Sequence, residues 1–218
     1  MLNDIPYLSY FLSAFIGIGL AAASGFRVFL PMFAVSLASY MGWIPMSESF
    51  QWLAGLPALI TTGIAMVVEI LAYYIPVVDN LLDTMTIPLA TIAGSVLFAS
   101  QFADIGVFSQ WALALIAGGG TAATISSGFA GTRVASTATT AGLGNSTLAT
   151  TETAGAGALS ILALVAPIIA GIAALVLVIF VIVLGKKMMR KFFHKTENQP
   201  TTIIEVEAVE TKNTNKIE

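Results

Sequence analysis

Across residues 1–185 the chain carries only two basic side chains, Arg27 and Arg133, beside seven acidic ones: Asp4, Glu48, Glu69, Asp79, Asp83, Asp104 and Glu152. The other seven lysines and arginines all follow Gly185. A soluble domain keeps about 25% of its residues charged to wet its surface. Here 10% are charged and 57% hydrophobic. A segment with so little polar surface has lipid as its solvent, and in lipid only helices and closed barrels satisfy their own backbone. The long apolar runs select helices. The expected fold is all-α, a polytopic transmembrane helix bundle over residues 1–185.

The first apolar run, from Tyr7 to Ala23, has the small residues of a signal cleavage site at its end, but Asp4 and no basic residue before it. A signal peptide starts basic, so a retained first helix is expected. Ser24-Gly25-Phe26-Arg27 interrupts it, and apolar sequence resumes from Val28 to Trp43 with Pro31 in its first turn. Residues 44–55, with Glu48 and Trp52, read as an interfacial stretch. Further spans are expected from Leu56 to Ile75, ended by Pro76, from Ile87 to Phe102, and from Phe108 to Gly118, with Val77 to Thr86 as a connection. Gly118 to Gly157 is built almost wholly from Gly, Ala, Ser and Thr; it reads as a packed, partly irregular region. The last span runs from Ala158 to Leu184, with a kink at Pro167. Five or six full spans are expected, an even number placing the N-terminus on the cytoplasmic side. Residues 186–195 form a basic juxtamembrane cluster that includes His194, and 196–218 a polar tail expected to be disordered. Basic flanks stay on the cytoplasmic side, so the expected location is a bacterial inner membrane with the C-terminus in the cytoplasm.

Ser24-Gly25-Phe26-Arg27-Val28 recurs loosely as Ser127-Gly128-Phe129-Ala130-Gly131-Thr132-Arg133-Val134. Each copy carries the only basic residue of its half, and a glutamate follows each, Glu69 and Glu152. Paired halves with glycine-interrupted hydrophobic segments are the mark of many secondary transporters. Residues 8–104 and 108–185 are the candidate halves of an inverted repeat with broken or re-entrant segments. Gly25, Pro31, Pro76, Gly128 and Gly131 are its candidate hinges.

A guanidinium in hydrocarbon costs at least about 2.5–3.5 kcal/mol and keeps its charge, so it needs a partner. Arg27 and Arg133 are therefore candidates to bind a small anion or a lipid phosphate. The alternative is that they hold the bundle together by pairing with carboxylates. Glu69, Asp79, Asp83 and Glu152 are the candidates for proton or ion coupling, Asp79 and Asp83 being neighbours if helical. In a helix, Glu69 and Tyr73 would share a face with Pro76, Asn80 and Asp83. Glu152 has a plainer reading, an acid complementing the dipole of the helix it precedes.

With no cysteine and one histidine, the common nucleophile and metal sites are not expected, nor is a cofactor. No catalytic motif is present, so an enzyme is not expected; a lipid-modifying activity would rest on carboxylates alone. Membrane lipid and further copies of the chain are the expected partners, and nucleic acid is not.

Ser24-Gly-Phe-Arg27 with Pro31, Glu69 through Pro76 to Asp79-Asn80-Leu-Leu-Asp83, and Thr137-Ala-Thr-Thr-Ala-Gly-Leu-Gly144-Asn145 resemble the small bacterial membrane proteins grouped as domain of unknown function 4126. The resemblance covers roughly residues 8–180. It implies a multi-span inner-membrane protein and assigns no activity. The reading is a secondary transporter of a small anion or phosphate-bearing lipid, coupled to protons. A non-catalytic membrane scaffold is the alternative, supported by small residues spaced as Ala154 and Ala158 are.

Overall fold

The computed structural model describes residues 6–102 and 105–197. They form α1 (Pro6–Phe26), α2 (Phe29–Tyr40), a 3-10 helix (Glu48–Ala54), α3 (Leu56–Ala72), α4 (Pro76–Ala99), α5 (Val107–Leu113), a π-helical segment (Ala114–Gly119), α6 (Gly120–Thr140), α7 (Asn145–Val165) and α8 (Pro167–Glu197). The all-α expectation holds: no strand occurs among the described residues. Four helical runs are long and apolar enough to cross a membrane: Leu8–Phe26, Val107–Thr140, Asn145–Val165 and Pro167–Lys187. The 3-10 helix and α3, bent by 60° at their junction, make a fifth if taken as one broken or re-entrant span. Four spans, or five with the bent pair, stand against the five or six expected, because Phe29–Tyr40 and Thr84–Ala99 are short. Ile60, Ile64 and Val68 on α3, and Ile172, Val176 and Ile179 on α8, are exposed apolar side chains. Only lipid suits such surfaces, so the chain is an integral membrane protein.

α1 packs against α4, α6 and α7. Its last turns, Leu20 to Ser24, are fully buried. Small side chains let the neighbouring helices approach closely, the usual means of helix association in lipid. A close backbone approach joins α4 to the π segment. A Cβ on Gly118 would fall 2.5 Å from the Gly94 carbonyl oxygen and 2.5 Å from Phe98 Cβ. Backbone cannot swing aside, so Gly118→Val forces these helices apart, at about 1–3 kcal/mol for overpacking. In a thermal melt in lipid nanodiscs it should lower Tm clearly. Gly120→Ala, where nothing lies within 4 Å, should leave Tm unchanged or slightly raised.

Several local expectations are corrected. The first break falls at Arg27-Val28, because α1 runs on through Gly25. Gly25 is not a hinge there: its missing side chain admits Ile125, to which a Cβ would come within 2.7 Å. The second copy of the motif is not broken at all; Gly128 and Gly131 lie inside the continuous α6. Pro31 sits in the first turn of α2, where its missing N–H costs nothing, and Pro76 opens α4. The stretch 118–157 is helix, π-helical up to Gly119 and α-helical from Gly120, except for the turn between α6 and α7, where Ala141 (φ 52°) and Gly142 (φ 86°) reverse the chain. Many of its threonines and serines donate to carbonyls one turn back without leaving the helix, as Thr132 does to Gly128 at 2.7 Å. Residues 77–86, expected as a connection, belong to α4. Pro167 does more than kink the final span: α7 ends at Val165 and α8 begins at Pro167.

The chain divides into two units, Met1–Ile182 and Val183–Glu218. In the second, helix continues to Glu197 and carries the exposed Lys186, Lys187 and Arg190. The side chain of His194 and the expected tail beyond Glu197 lie outside the described residues.

Candidate functional site

The two arginines that are 106 positions apart in sequence meet at one carboxylate. Arg133, on α6, donates from Nε to Glu152 Oε1 at 3.0 Å and from Nη2 to Glu152 Oε2. This is the two-pronged pairing that a planar guanidinium makes best. Arg27, in the break between α1 and α2, places Nη2 at 3.6 Å from the same Glu152 Oε2. It also donates to the Ala149 carbonyl at 2.8 Å and the Thr153 hydroxyl at 3.1 Å, both on α7. Arg27 Nη1 is buried with no hydrogen-bond partner. Arg27, Arg133 and Glu152 are 0%, 3% and 2% exposed, so the charges have no direct access to bulk solvent.

Tyr73, just beyond α3, lies beneath both cations. The Arg27 and Arg133 guanidinium carbons sit 3.8 Å and 4.3 Å from its ring centroid. A desolvated cation over an aromatic face gains about 2 kcal/mol. The Tyr73 hydroxyl is fixed by Thr86 of α4 at 2.7 Å, and the Thr86 hydroxyl donates to the Leu82 carbonyl. The phenol is thus held by α4 while its ring faces the arginines.

Glu69 does different work. Its Oε1 accepts the Val28 amide at 2.8 Å and its Oε2 the Phe29 amide at 2.9 Å. These are two of the orphan N–H groups at the start of α2, and the carboxylate also complements the helix dipole there. Val28 follows Arg27 directly, so Glu69 anchors the backbone that presents Arg27. Glu69 is also near enough to interact electrostatically with Arg27, although both its oxygens are occupied by amides.

Of the candidate residues, Arg27, Arg133, Glu69 and Glu152 are therefore brought together. Glu152 is not the N-terminal acid of its helix, because α7 begins two turns earlier, at Asn145. The side chains of Asp79 and Asp83 lie outside the described residues. The expected shared face from Glu69 to Asp83 is interrupted between Ala72 and Pro76, where α3 gives way to α4. Tyr73, Thr86 and Thr153 were not expected at the site. Tyr73 had a signal, its four-residue spacing from Glu69; Thr86 and Thr153 had none. Among the described residues no three carboxylate or imidazole groups gather as metal ligands would.

A shallow groove of about 290 Å³ is lined by Tyr74, Ser146, Thr147, Thr150 and Thr151. Tyr74 and Thr151 are chain neighbours of Tyr73 and Glu152, and the Tyr74 hydroxyl pairs with Thr150 at 2.9 Å.

No curated protein and no solved structure matches the chain. The model of one family does, over residues 14–187, a stretch that contains Arg27, Glu69, Tyr73, Arg133 and Glu152. The chain belongs to the DUF4126 family, a domain of unknown function.

Proposed function

We propose that the protein is a secondary transporter that moves a small anion together with a proton. The observation that carries this reading is that two buried guanidiniums share one carboxylate, while Arg27 Nη1 has no acceptor. Glu152 then acts as the resident anion of the site. Protonating it removes its charge and releases Arg27 and Arg133 from that carboxylate, leaving Arg27 Nη1 to bind a substrate anion. Binding one proton and one monovalent anion together leaves the charge of the site unchanged, which couples the two. The groove beside Tyr74 and Thr151 adds neutral hydroxyl oxygens next to the site, the hydroxyls of Ser146, Thr150 and Thr151 already donating to backbone carbonyls. The protein works in the cytoplasmic membrane, with the basic end of α8 on the cytoplasmic side.

The test is anion uptake into proteoliposomes under an imposed proton gradient, with chloride, nitrate, phosphate and organic anions offered in turn. Wild type should accumulate one of them in a proton-dependent way. Glu152→Gln, which mimics the protonated carboxyl, should carry or bind the same anion without dependence on the gradient. A parallel assay of labelled phospholipid movement between leaflets distinguishes a lipid phosphate from a free anion. If no anion and no lipid moves, the transport reading fails.

A scaffold role is the second reading. It is favoured by the closed packing at the arginines, where the adjoining cavity is only about 10 Å³. It predicts that changes at Arg27, Arg133 and Glu152 alter stability and assembly and nothing else.

A further inference from the structure

The cavity beside the Arg133–Glu152 pair, about 10 Å³, is bordered by Ser126, Tyr73, Thr86, Arg133 and Glu152, with Phe26 and Ala130 among its apolar neighbours. That is room for one water molecule and nothing larger, and a buried water needs two to four polar partners. The lining offers them. Ser126 is 1% exposed, and its hydroxyl is buried without a hydrogen-bond partner. Its neighbours on the same helix behave otherwise: Thr124, Ser127 and Thr132 each donate to the carbonyl four residues back at 2.7 Å. Ser126 faces the cavity with that bond unmade. A buried hydroxyl left so is costly unless a partner sits opposite it.

We propose that this cavity binds one ordered water, held by the Ser126 hydroxyl and the Arg133–Glu152 pair. The water hydrogen-bonds the carboxylate that both arginines share, and through it the pair exchanges protons with solvent. The water site stands on the cavity and Ser126 alone; its use as the proton's way to Glu152 rests on the transport reading above.

The chain has three arginines, Arg27, Arg133 and Arg190, which makes a spectroscopic test direct. Full-length protein with nitrogen-15 arginine is placed in lipid bilayers, and solid-state NMR follows magnetisation passing from water protons to each guanidinium. Arg190→Lys removes the exposed signal. Wild type should show transfer to Arg133. Ser126→Ala, which keeps the space, should retain it, whereas Ser126→Val, which fills the space with methyl groups, should lose it. If Ser126→Val does not fold, Ala130→Val narrows the same cavity from the next turn. Absence of transfer to Arg133 in wild type overturns the proposal, as does full transfer in the filled variants. Transfer without any anion flux would leave the water in place and remove the transport reading. Proton-coupled flux without transfer would do the reverse.

Discussion

Glu152→Ala should lower the melting temperature in lipid nanodiscs by the equivalent of about 3–5 kcal/mol. The reason is an asymmetry. A buried ion pair adds little net stability, because removing both charges from water offsets their attraction. Removing one member leaves the other charge buried and uncompensated, which is where the large cost lies. Here a single deletion affects two cations. Arg133 loses both of its charge-assisted hydrogen bonds to the carboxylate. Arg27 loses its only acidic contact within salt-bridge distance among the described residues, keeping the neutral Ala149 carbonyl and Thr153 hydroxyl. Arg133→Met should cost less, since Glu152 keeps Arg27 as a counter-charge. The double variant Arg133→Met/Glu152→Leu should recover part of the loss and not all, because Arg27 still lacks its carboxylate. A double-mutant cycle over the pair measures that coupling directly. A Glu152→Ala protein melting within about 1 kcal/mol of wild type would mean that water already screens the site.

Which parts of this were legible in the sequence follows from how far each signal reaches. The charge deficit of residues 1–185 acts through solvation alone, so lipid and helices could be read without any contact. Arg27 and Arg133 were conspicuous by rarity, and a buried guanidinium's need for partners named the acids as a class. That Glu152 serves both arginines could not be read, because it depends on α6 and α7 packing beside α1. Glycines misled in a specific way. In an apolar helix a glycine signals either a break or a close neighbour. Gly25 and Gly128 are of the second kind, set against Ile125 and Val181. The Gly/Ala/Ser/Thr-rich stretch looked irregular because propensities measured in water penalise its Gly, Ser and Thr. Inside a bundle their hydroxyls bond back to the helix and their small size is what allows the packing. The Ala166-Pro167 break was misjudged as a kink, since apolar sequence on both sides hides where one helix ends.

Glu69→Ala is expected to produce the second large effect, through the backbone and not through an ion pair. It strands the Val28 and Phe29 amides that the two carboxylate oxygens now accept. Each buried N–H left without an acceptor costs about 1–3 kcal/mol, and the lost complement to the α2 dipole adds up to about 2 kcal/mol. Glu69→Gln should fall between, because its amide oxygen can accept one N–H while its NH2 group opposes the other. Thermal melts of the two variants, with hydrogen exchange at Val28 and Phe29, check this: exchange should quicken in the order wild type, Gln, Ala. The same backbone carries Arg27, so fraying the start of α2 loosens Arg27 against Thr153 and Ala149. Glu69 then acts as a positioning residue, and its loss should weaken anion binding in proportion to the exchange it unlocks. A Glu69→Gln protein with wild-type melting and wild-type exchange, yet without proton-dependent uptake, would contradict this and make Glu69 itself the proton carrier.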